Sequence, residues 1–129
     1  MKESIFSPQK MWLRELFYIN RSITGNGVRE TLKSISKKVN NFQINEVPSG
    51  TKCFDWKVPK EWNVNDAWIK NAKGEKIIDF KKNNLHLLGY SEPVNGVFSL
   101  LDLTNHIYTL PSMPDAIPYV TSYYKRKWG

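Results

Sequence analysis

The stretch Asn20-Arg-Ser-Ile-Thr-Gly-Asn-Gly27 separates two helical patterns and therefore governs how the chain passes from one helix to the next. Its two glycines permit positive φ angles that other residues rarely adopt. The helix that follows presents free backbone N–H groups and the positive end of its dipole, which together favour anions and carboxylates. We call residues 20–27 the helix corner. It is interpreted either as a capping loop or as a polar site built from Arg21, Ser22 and Thr24.

Helical patterns flank the corner on both sides. The first helix is predicted to begin with Ser7 as N-cap and Pro8 at the first helical position, and to end near Asn20. The second is predicted from apolar residues at i, i+4, i+7 and i+11, namely Val28, Leu32, Ile35 and Val39. Its basic residues, Arg29, Lys33 and Lys37, are interpreted as a solvated face.

From residue 42 onward the period changes from helical to alternating. Strands are predicted at residues 42–45, 53–58, 67–70, 76–80, 85–90 and 120–124. Residues 71–74 are predicted to form a hairpin loop, and Ser99 with Asp102 resembles a capping box before a short helix. The sequence thus predicts an α+β fold in which a helical pair precedes a small, mostly antiparallel β-rich domain. The expected segments are residues 1–41, 42–110 and 111–129.

Composition and charge narrow the possible functions. The chain of 129 residues has one cysteine, Cys53, which excludes an internal disulfide and favours a reducing compartment. No stretch approaches the ~20 apolar residues that a membrane helix needs, so a soluble, cytoplasmic protein is expected. The net charge of +7 divides into excesses of +5, 0 and +2 over the three segments. No nucleic-acid motif accompanies that charge, and no nucleic-acid or membrane partner is expected.

The sequence carries no recognisable catalytic motif. His86 and His106 lack the spacing of metal ligands, so no metal site and no catalytic residue are predicted in this chain. Four carboxylates are interpreted as solvated strand residues: Asp55, Glu61, Asp66 and Asp79. The chain alone is therefore not expected to be an enzyme.

Three tryptophans, Trp56, Trp62 and Trp68, recur every six residues. Even spacing would place them on one face of a strand, although Pro59 disfavours a single straight strand. They are interpreted either as the core of a small sheet or as an aromatic surface that faces a carbohydrate or peptide.

Six ordered blocks carry a resemblance to a known family. They are Arg21-Ser-Ile-Thr-Gly-Asn-Gly-Val-Arg-Glu-Thr-Leu, Glu46-Val-Pro-Ser-Gly-Thr-Lys, Phe54-Asp-Trp-Lys-Val-Pro-Lys-Glu-Trp, Ile78-Asp-Phe-Lys-Lys-Asn-Asn-Leu-His-Leu, Tyr90-Ser-Glu-Pro-Val-Asn-Gly and Asp115-Ala-Ile-Pro-Tyr-Val-Thr-Ser-Tyr-Tyr-Lys. Together they resemble the N-terminal region of uncharacterised bacterial aminopeptidase-like proteins, which are similar to zinc-dependent exopeptidases and are associated with polysaccharide biosynthesis.

The resemblance implies a doubly wound, zinc-peptidase-like domain interrupted by a small inserted β-rich domain, of a swivelling or protease-associated type. Residues 42–110 would be that insert, and residues 1–41 and 111–129 would belong to the peptidase-like domain. The implied zinc ligands belong to the part of that hydrolase outside this chain, so no cofactor is expected here. The implied partner is the remainder of the peptidase-like protein, with self-association through apolar helix faces as a further expectation.

Two functions compete at this point. The chain is predicted to be a non-catalytic fragment that shapes or covers a substrate cleft, with Arg21, Ser22 and Thr24 contacting a substrate carboxylate. The alternative is a module that binds a glycan or a protein through its tryptophan-rich β domain.

Overall fold

The computed structural model describes residues 7–122 and 125–128. The chain divides into two compact units, of which the first ends at Asn63 and the second begins at Val64. Within the described residues, each unit combines helical segments with one antiparallel hairpin. This combination confirms the predicted α+β class. The predicted segment boundaries after residues 41 and 110 stay predictions, as does the swivelling or protease-associated type.

Both predicted N-terminal helices are present in the first unit. α1 spans Pro8–Phe17 and begins as predicted, because the Ser7 side chain accepts a hydrogen bond from the Lys10 amide at 3.4 Å. α2 spans Asn26–Ser36 and starts from Gly25, whose φ is +99°. The helical period and the Ser-Pro start therefore predict both helices, although α1 ends at Phe17 rather than near Asn20 and α2 ends at Ser36, before Val39.

A carboxylate joins the two helices. Glu15 of α1 accepts a hydrogen bond from the Ser34 hydroxyl at 2.6 Å and pairs with the Lys38 ammonium at 3.0 Å. The Ser34 hydrogen bond and then Lys38 hold the pKa of Glu15 below its ordinary value. Because Ser34 is only 7% exposed, its hydroxyl requires a protein partner. The helix pair is thus joined by a half-buried polar contact between exposed Glu15 and buried Ser34.

The first hairpin lies where one continuous strand is predicted. β1 spans Lys52–Cys53 and β2 spans Trp56–Lys57, paired antiparallel with Cys53 opposite Trp56. The predicted strand at residues 53–58 is wrong because Phe54 adopts a φ of +53° and the chain reverses there. The predicted strand at residues 42–45 is also wrong, since residues 42–48 form no strand.

The second unit opens with the hairpin that the sequence predicts. β3 spans Trp68–Lys70 and β4 spans Lys76–Asp79, and the two pair antiparallel. Asn71 shapes the loop, because its side-chain oxygen accepts the amides of Lys73 and Glu75 at 3.0 Å each. The predicted loop at residues 71–74 is confirmed.

The strand predicted at residues 85–90 is wrong. A 3-10 helix spans Asn84–His86 instead, and the Asn83 side chain accepts a hydrogen bond from the Leu85 amide at 3.1 Å. Asn83 therefore caps a tight turn and takes the Leu85 amide out of any strand ladder. The alternation of apolar residues imitated a strand.

The short helix after residue 99 confirms the predicted capping box. α3 spans Leu100–Thr104. The Ser99 hydroxyl oxygen accepts a hydrogen bond from the Asp102 amide at 3.1 Å and donates one to the Asp102 carboxylate at 2.6 Å. The Ser99 hydroxyl therefore caps one backbone amide at the helix start, and the Asp102 carboxylate holds that hydroxyl in place.

The end of the described chain packs against other residues of the second unit. Lys127 forms a parallel bridge with Ser91, and the Trp128 ring stacks on His106 with 3.6 Å between centroids. Of the strand predicted at residues 120–124, residues 120–122 form no strand and residues 123–124 lie outside the described residues.

Most large apolar side chains in the described residues remain accessible to solvent. Tyr90, at 5% exposure, is the one hydrophobic residue that counts as buried there, whereas 22 large hydrophobic residues are exposed. Such a surface exceeds the scattered apolar residues that a folded monomer usually shows. Among the described helices, none has the length and apolar character needed to cross a membrane.

Candidate functional site

Arg21, the first of the predicted site residues, ties α1 to α2. Its Nη1 atom donates to the Leu16 carbonyl oxygen at 2.9 Å and to the Thr31 hydroxyl at 3.3 Å. Thr31 in turn donates to the Gly27 carbonyl oxygen at 2.8 Å. The guanidinium thus satisfies a carbonyl at the end of α1, as the capping interpretation of the helix corner predicts.

The two hydroxyl residues of the corner face their own backbone. The Ser22 hydroxyl donates to the Thr24 carbonyl oxygen at 2.8 Å and accepts from the Thr24 amide at 3.2 Å. The Thr24 hydroxyl oxygen accepts a hydrogen bond from the Trp62 amide at 3.3 Å. The structure therefore brings Arg21, Ser22 and Thr24 into one corner, where each bonds to other groups of the first unit. Their role towards a substrate stays a prediction.

Residues 61–63, at the end of the first unit, contact the start of α2. The Asn26 amide donates to the Asn63 side-chain oxygen at 2.7 Å. The Asn63 side-chain nitrogen donates to the Glu61 carboxylate at 3.1 Å. A side chain of this chain therefore occupies one of the free N–H groups that the sequence offers to an anion.

Glu61 is paired with Arg29 rather than simply solvated. The two nitrogens of the Arg29 fork donate to the two Glu61 oxygens at 2.6 and 2.8 Å. Arg29, and then Asn63, lower the pKa of Glu61 to about 2. We call the contacts of residues 25–29 with residues 61–63 the α2 clamp. No sequence pattern indicates this clamp, because its two sides lie more than thirty residues apart, beyond any helical or strand period.

Glu61→Gln is expected to flatten the acid dependence of stability. The pKa of Glu61 falls from 4.5 to about 2 on folding. Its contribution is therefore complete above about pH 4.5 and disappears as the pH falls towards 2. The effect on melting temperature is small, because both partners are exposed. Melting temperatures measured from neutral pH down through this window test the pair.

Glu30→Gln is the matched control for this experiment, since Glu30 is an exposed carboxylate next to Arg29 on α2. The melting temperature of the Glu61 variant should depend less steeply on pH than that of the Glu30 variant. Equal slopes would contradict a stabilising pair between Arg29 and Glu61.

Both glycines of the corner lie against backbone. A Cβ atom on Gly25 would collide with the Trp62 carbonyl oxygen and would lie 2.7 Å from the Asn63 side-chain oxygen. A Cβ atom on Gly27 would collide with the Asn20 carbonyl oxygen. Close approach, in addition to positive φ at Gly25, is therefore the reason for glycine at these positions.

The three tryptophans lie on different elements. Trp56, on β2, is 46% exposed, and Trp68, on β3, is 49% exposed. The Lys70 ammonium lies 4.7 Å from the centre of the Trp68 ring. Trp62 is half-buried beside the helix corner. Core packing does not describe Trp56 or Trp68, and the predicted aromatic binding surface stays a prediction.

Within residues 7–122 and 125–128, no three histidine, cysteine, aspartate or glutamate side chains are grouped as a metal ion requires. His106 lies close to Trp128, whose carbonyl oxygen is 2.8 Å from the ring Nδ1 atom. Where the zinc that the resemblance implies is held stays a prediction.

Comparisons with known proteins agree with the resemblance. Residues 61–129 match a family described as a domain of unknown function (DUF2172). A protein of Clostridium acetobutylicum, named a putative polysaccharide biosynthesis protein with an aminopeptidase-like domain, is 56% identical over 117 residues. The match covers 91% of this chain and 27% of that protein.

A solved structure also matches this chain over most of its length. The crystal structure of a putative peptidase from Clostridium acetobutylicum superposes with a TM-score of 0.86 at 55% identity. The superposition covers 92% of this chain and 28% of that one. The chain thus spans somewhat over a quarter of the length of the relatives that it matches, and the resemblance to aminopeptidase-like proteins is confirmed.

Proposed function

Because the chain belongs to the family described as a domain of unknown function (DUF2172), we propose that it is a non-catalytic, N-terminal region of an aminopeptidase-like protein. In the intact protein it shapes or covers the substrate cleft. The names of the two relatives support the peptidase-like context. The proposed partner is the remainder of the same protein, and zinc is proposed to be held there.

The observation that carries this proposal is the exposed apolar surface of α1. Leu13 is 68% exposed, Phe17 is 72% exposed and Tyr18, just after the helix, is 79% exposed. These side chains would each cost free energy if they stayed in water, since burial of apolar area is favourable by about 25 cal/mol per Å². A larger peptidase-like body that covers this helix accounts for them.

A role for Arg21 follows from the donors that it has left. Its Nη1 atom is used within the corner, and its other nitrogens make no hydrogen bond within the described part of the chain. A guanidinium with free donors in a fork is suited to a carboxylate, which it binds through two parallel hydrogen bonds. We therefore propose that Arg21, beside Ser22 and Thr24, binds a substrate carboxylate in the intact protein.

Arg21→Ala in the full-length protein is expected to raise the KM for peptides about tenfold or more while kcat changes little. Removing the guanidinium breaks both hydrogen bonds, and the loss of one charge-assisted bond already costs about 1.5–3 kcal/mol. Steady-state peptide turnover, measured for peptides with a free and with an amidated C-terminus, tests this role. The difference between the two peptides should disappear in the variant.

Lys33→Ala is the control, because it removes one positive charge from an exposed position on α2. Arg21→Lys separates charge from the planar fork, and a melting curve of each variant reports the loss of the cap at Leu16. Unchanged kinetics together with unchanged stability in Arg21→Ala would rule out the proposed contact.

A further inference from the structure

The tip of the first hairpin combines features that each disfavour an isolated hairpin. We call residues 50–58 the Phe54 hairpin; its ends are joined by a hydrogen bond from the Gly50 amide to the Val58 carbonyl oxygen at 2.8 Å. Phe54 lies at its tip with a φ of +53° and is 95% exposed. A bulky residue rarely adopts positive φ, because its Cβ crowds the neighbouring carbonyl oxygen.

Other turns of the same chain show the usual solution. Gly50 and Gly74 have φ angles of +88° and +83°, and a Cβ atom at either position would meet no atom within 4 Å. Asn41 and Tyr90 also adopt positive φ, at +60° and +64°, but the Tyr90 side chain is buried, with 5% exposure. The same conformation at Phe54 carries a large aromatic ring in water, which the turn itself does not require.

Charge adds a second unfavourable feature to this hairpin. Lys52 and Lys57 are directly opposite each other in the strand register, and both are exposed. Like charges at opposite positions of a strand pair repel. Trp56, which is 46% exposed, adds a further aromatic ring beside them.

We infer that the Phe54 hairpin is an anchor whose aromatic tip inserts into an apolar pocket, rimmed by carboxylates, on the remainder of the same polypeptide. Insertion removes the Phe54 ring from water, and the carboxylates neutralise Lys52 and Lys57. This inference rests on the proposed function, since it assigns a contact between this region and the peptidase-like body. A second copy of the chain fits less well, because the net charge of +7 opposes the lysine pair.

The test uses Phe54→Gly in the full-length protein, where strain and docking predict opposite signs. Glycine suits positive φ, so an undocked hairpin would gain stability from the substitution. A docked Phe54 would instead lose its buried ring, and the melting temperature should fall by about 3 °C or more. An unchanged or raised melting temperature would overturn the anchor.

Two further measurements decide the identity of the partner. Lys52→Glu creates an opposite-charge pair with Lys57, which stabilises a free hairpin but repels a carboxylate rim, so a lower melting temperature is expected. A photo-crosslinking residue at Phe54, p-benzoylphenylalanine, should form intramolecular crosslinks to peptides outside residues 1–129. Crosslinks between molecules, or none outside those residues, would contradict the assignment.

Failure of the anchor and failure of the proposed function have different signatures. Melting temperatures and crosslinks test the anchor. The peptide kinetics of the Arg21 variants test the role of the region at the cleft. A raised melting temperature in Phe54→Gly with a raised KM in Arg21→Ala would remove the anchor alone.

Discussion

Gly25→Ala is expected to lower the free energy of unfolding by about 3 kcal/mol or more. The backbone at Gly25 has φ +99° and ψ −174°, a region that is nearly restricted to glycine and costs other residues about 1–3 kcal/mol. The added methyl group also collides with the Trp62 carbonyl oxygen, and overpacking adds about 1–3 kcal/mol. Chemical denaturation of the full-length protein measures the sum.

Gly74→Ala is the matched control for Gly25→Ala. Gly74 also has positive φ, +83°, but a Cβ atom there meets nothing within 4 Å. It therefore reports conformational strain without collision, about 1–2 kcal/mol. Equal losses in the two variants would show that the Trp62 segment does not press on Gly25.

Gly27→Ala is expected to destabilise the protein by about 2 kcal/mol, against its helix propensity. Alanine inside a helix is favoured over glycine by about 1 kcal/mol, so propensity alone predicts a gain at this position of α2. The Cβ atom would however collide with the Asn20 carbonyl oxygen. A backbone oxygen cannot rotate away as a flexible side chain can, so the collision is expected to dominate.

Gly89→Ala serves as the control for Gly27→Ala. No atom lies within 4 Å of a Cβ atom at Gly89, and its φ lies outside the positive range. Denaturation curves should place Gly89→Ala near the wild type. If Gly27→Ala were the more stable protein, the close approach of residue 20 to α2 would be disproved.

Sequence patterns predicted the elements whose signals are local. The Ser7 cap of α1, the Ser99–Asp102 capping box and the loop at residues 71–74 each depend on groups within four residues of one another. Their hydrogen bonds form between near neighbours, so the residue types alone indicate them.

Predictions failed where a single side chain overrode a period. Asn83 turned an alternating run into a 3-10 helix by accepting the Leu85 amide. Phe54 divided a predicted strand through a positive φ that no sequence rule assigns to phenylalanine. The period reports the spacing of apolar residues, whereas these turns depend on individual backbone angles.

The candidate site was predicted only in part, for a related reason. The order of residues placed Arg21, Ser22 and Thr24 together, since they are adjacent in the chain. Their actual partners, Thr31 and Trp62, were not predictable, because the Trp62 amide lies 38 residues from Thr24. Contacts of that separation depend on how the unit folds as a whole.

The α2 clamp determines where the chain can accept an inserted segment. Residues 37–60 run from the end of α2 back to its beginning. The ion pair between Arg29 and Glu61 closes this loop. Each doubling of the length of a flexible loop adds only about 0.6 kcal/mol to the entropic cost of closing it. We therefore expect that a foreign peptide or a reporter can be inserted within residues 42–48, which form no strand, without loss of the contacts between α1 and α2.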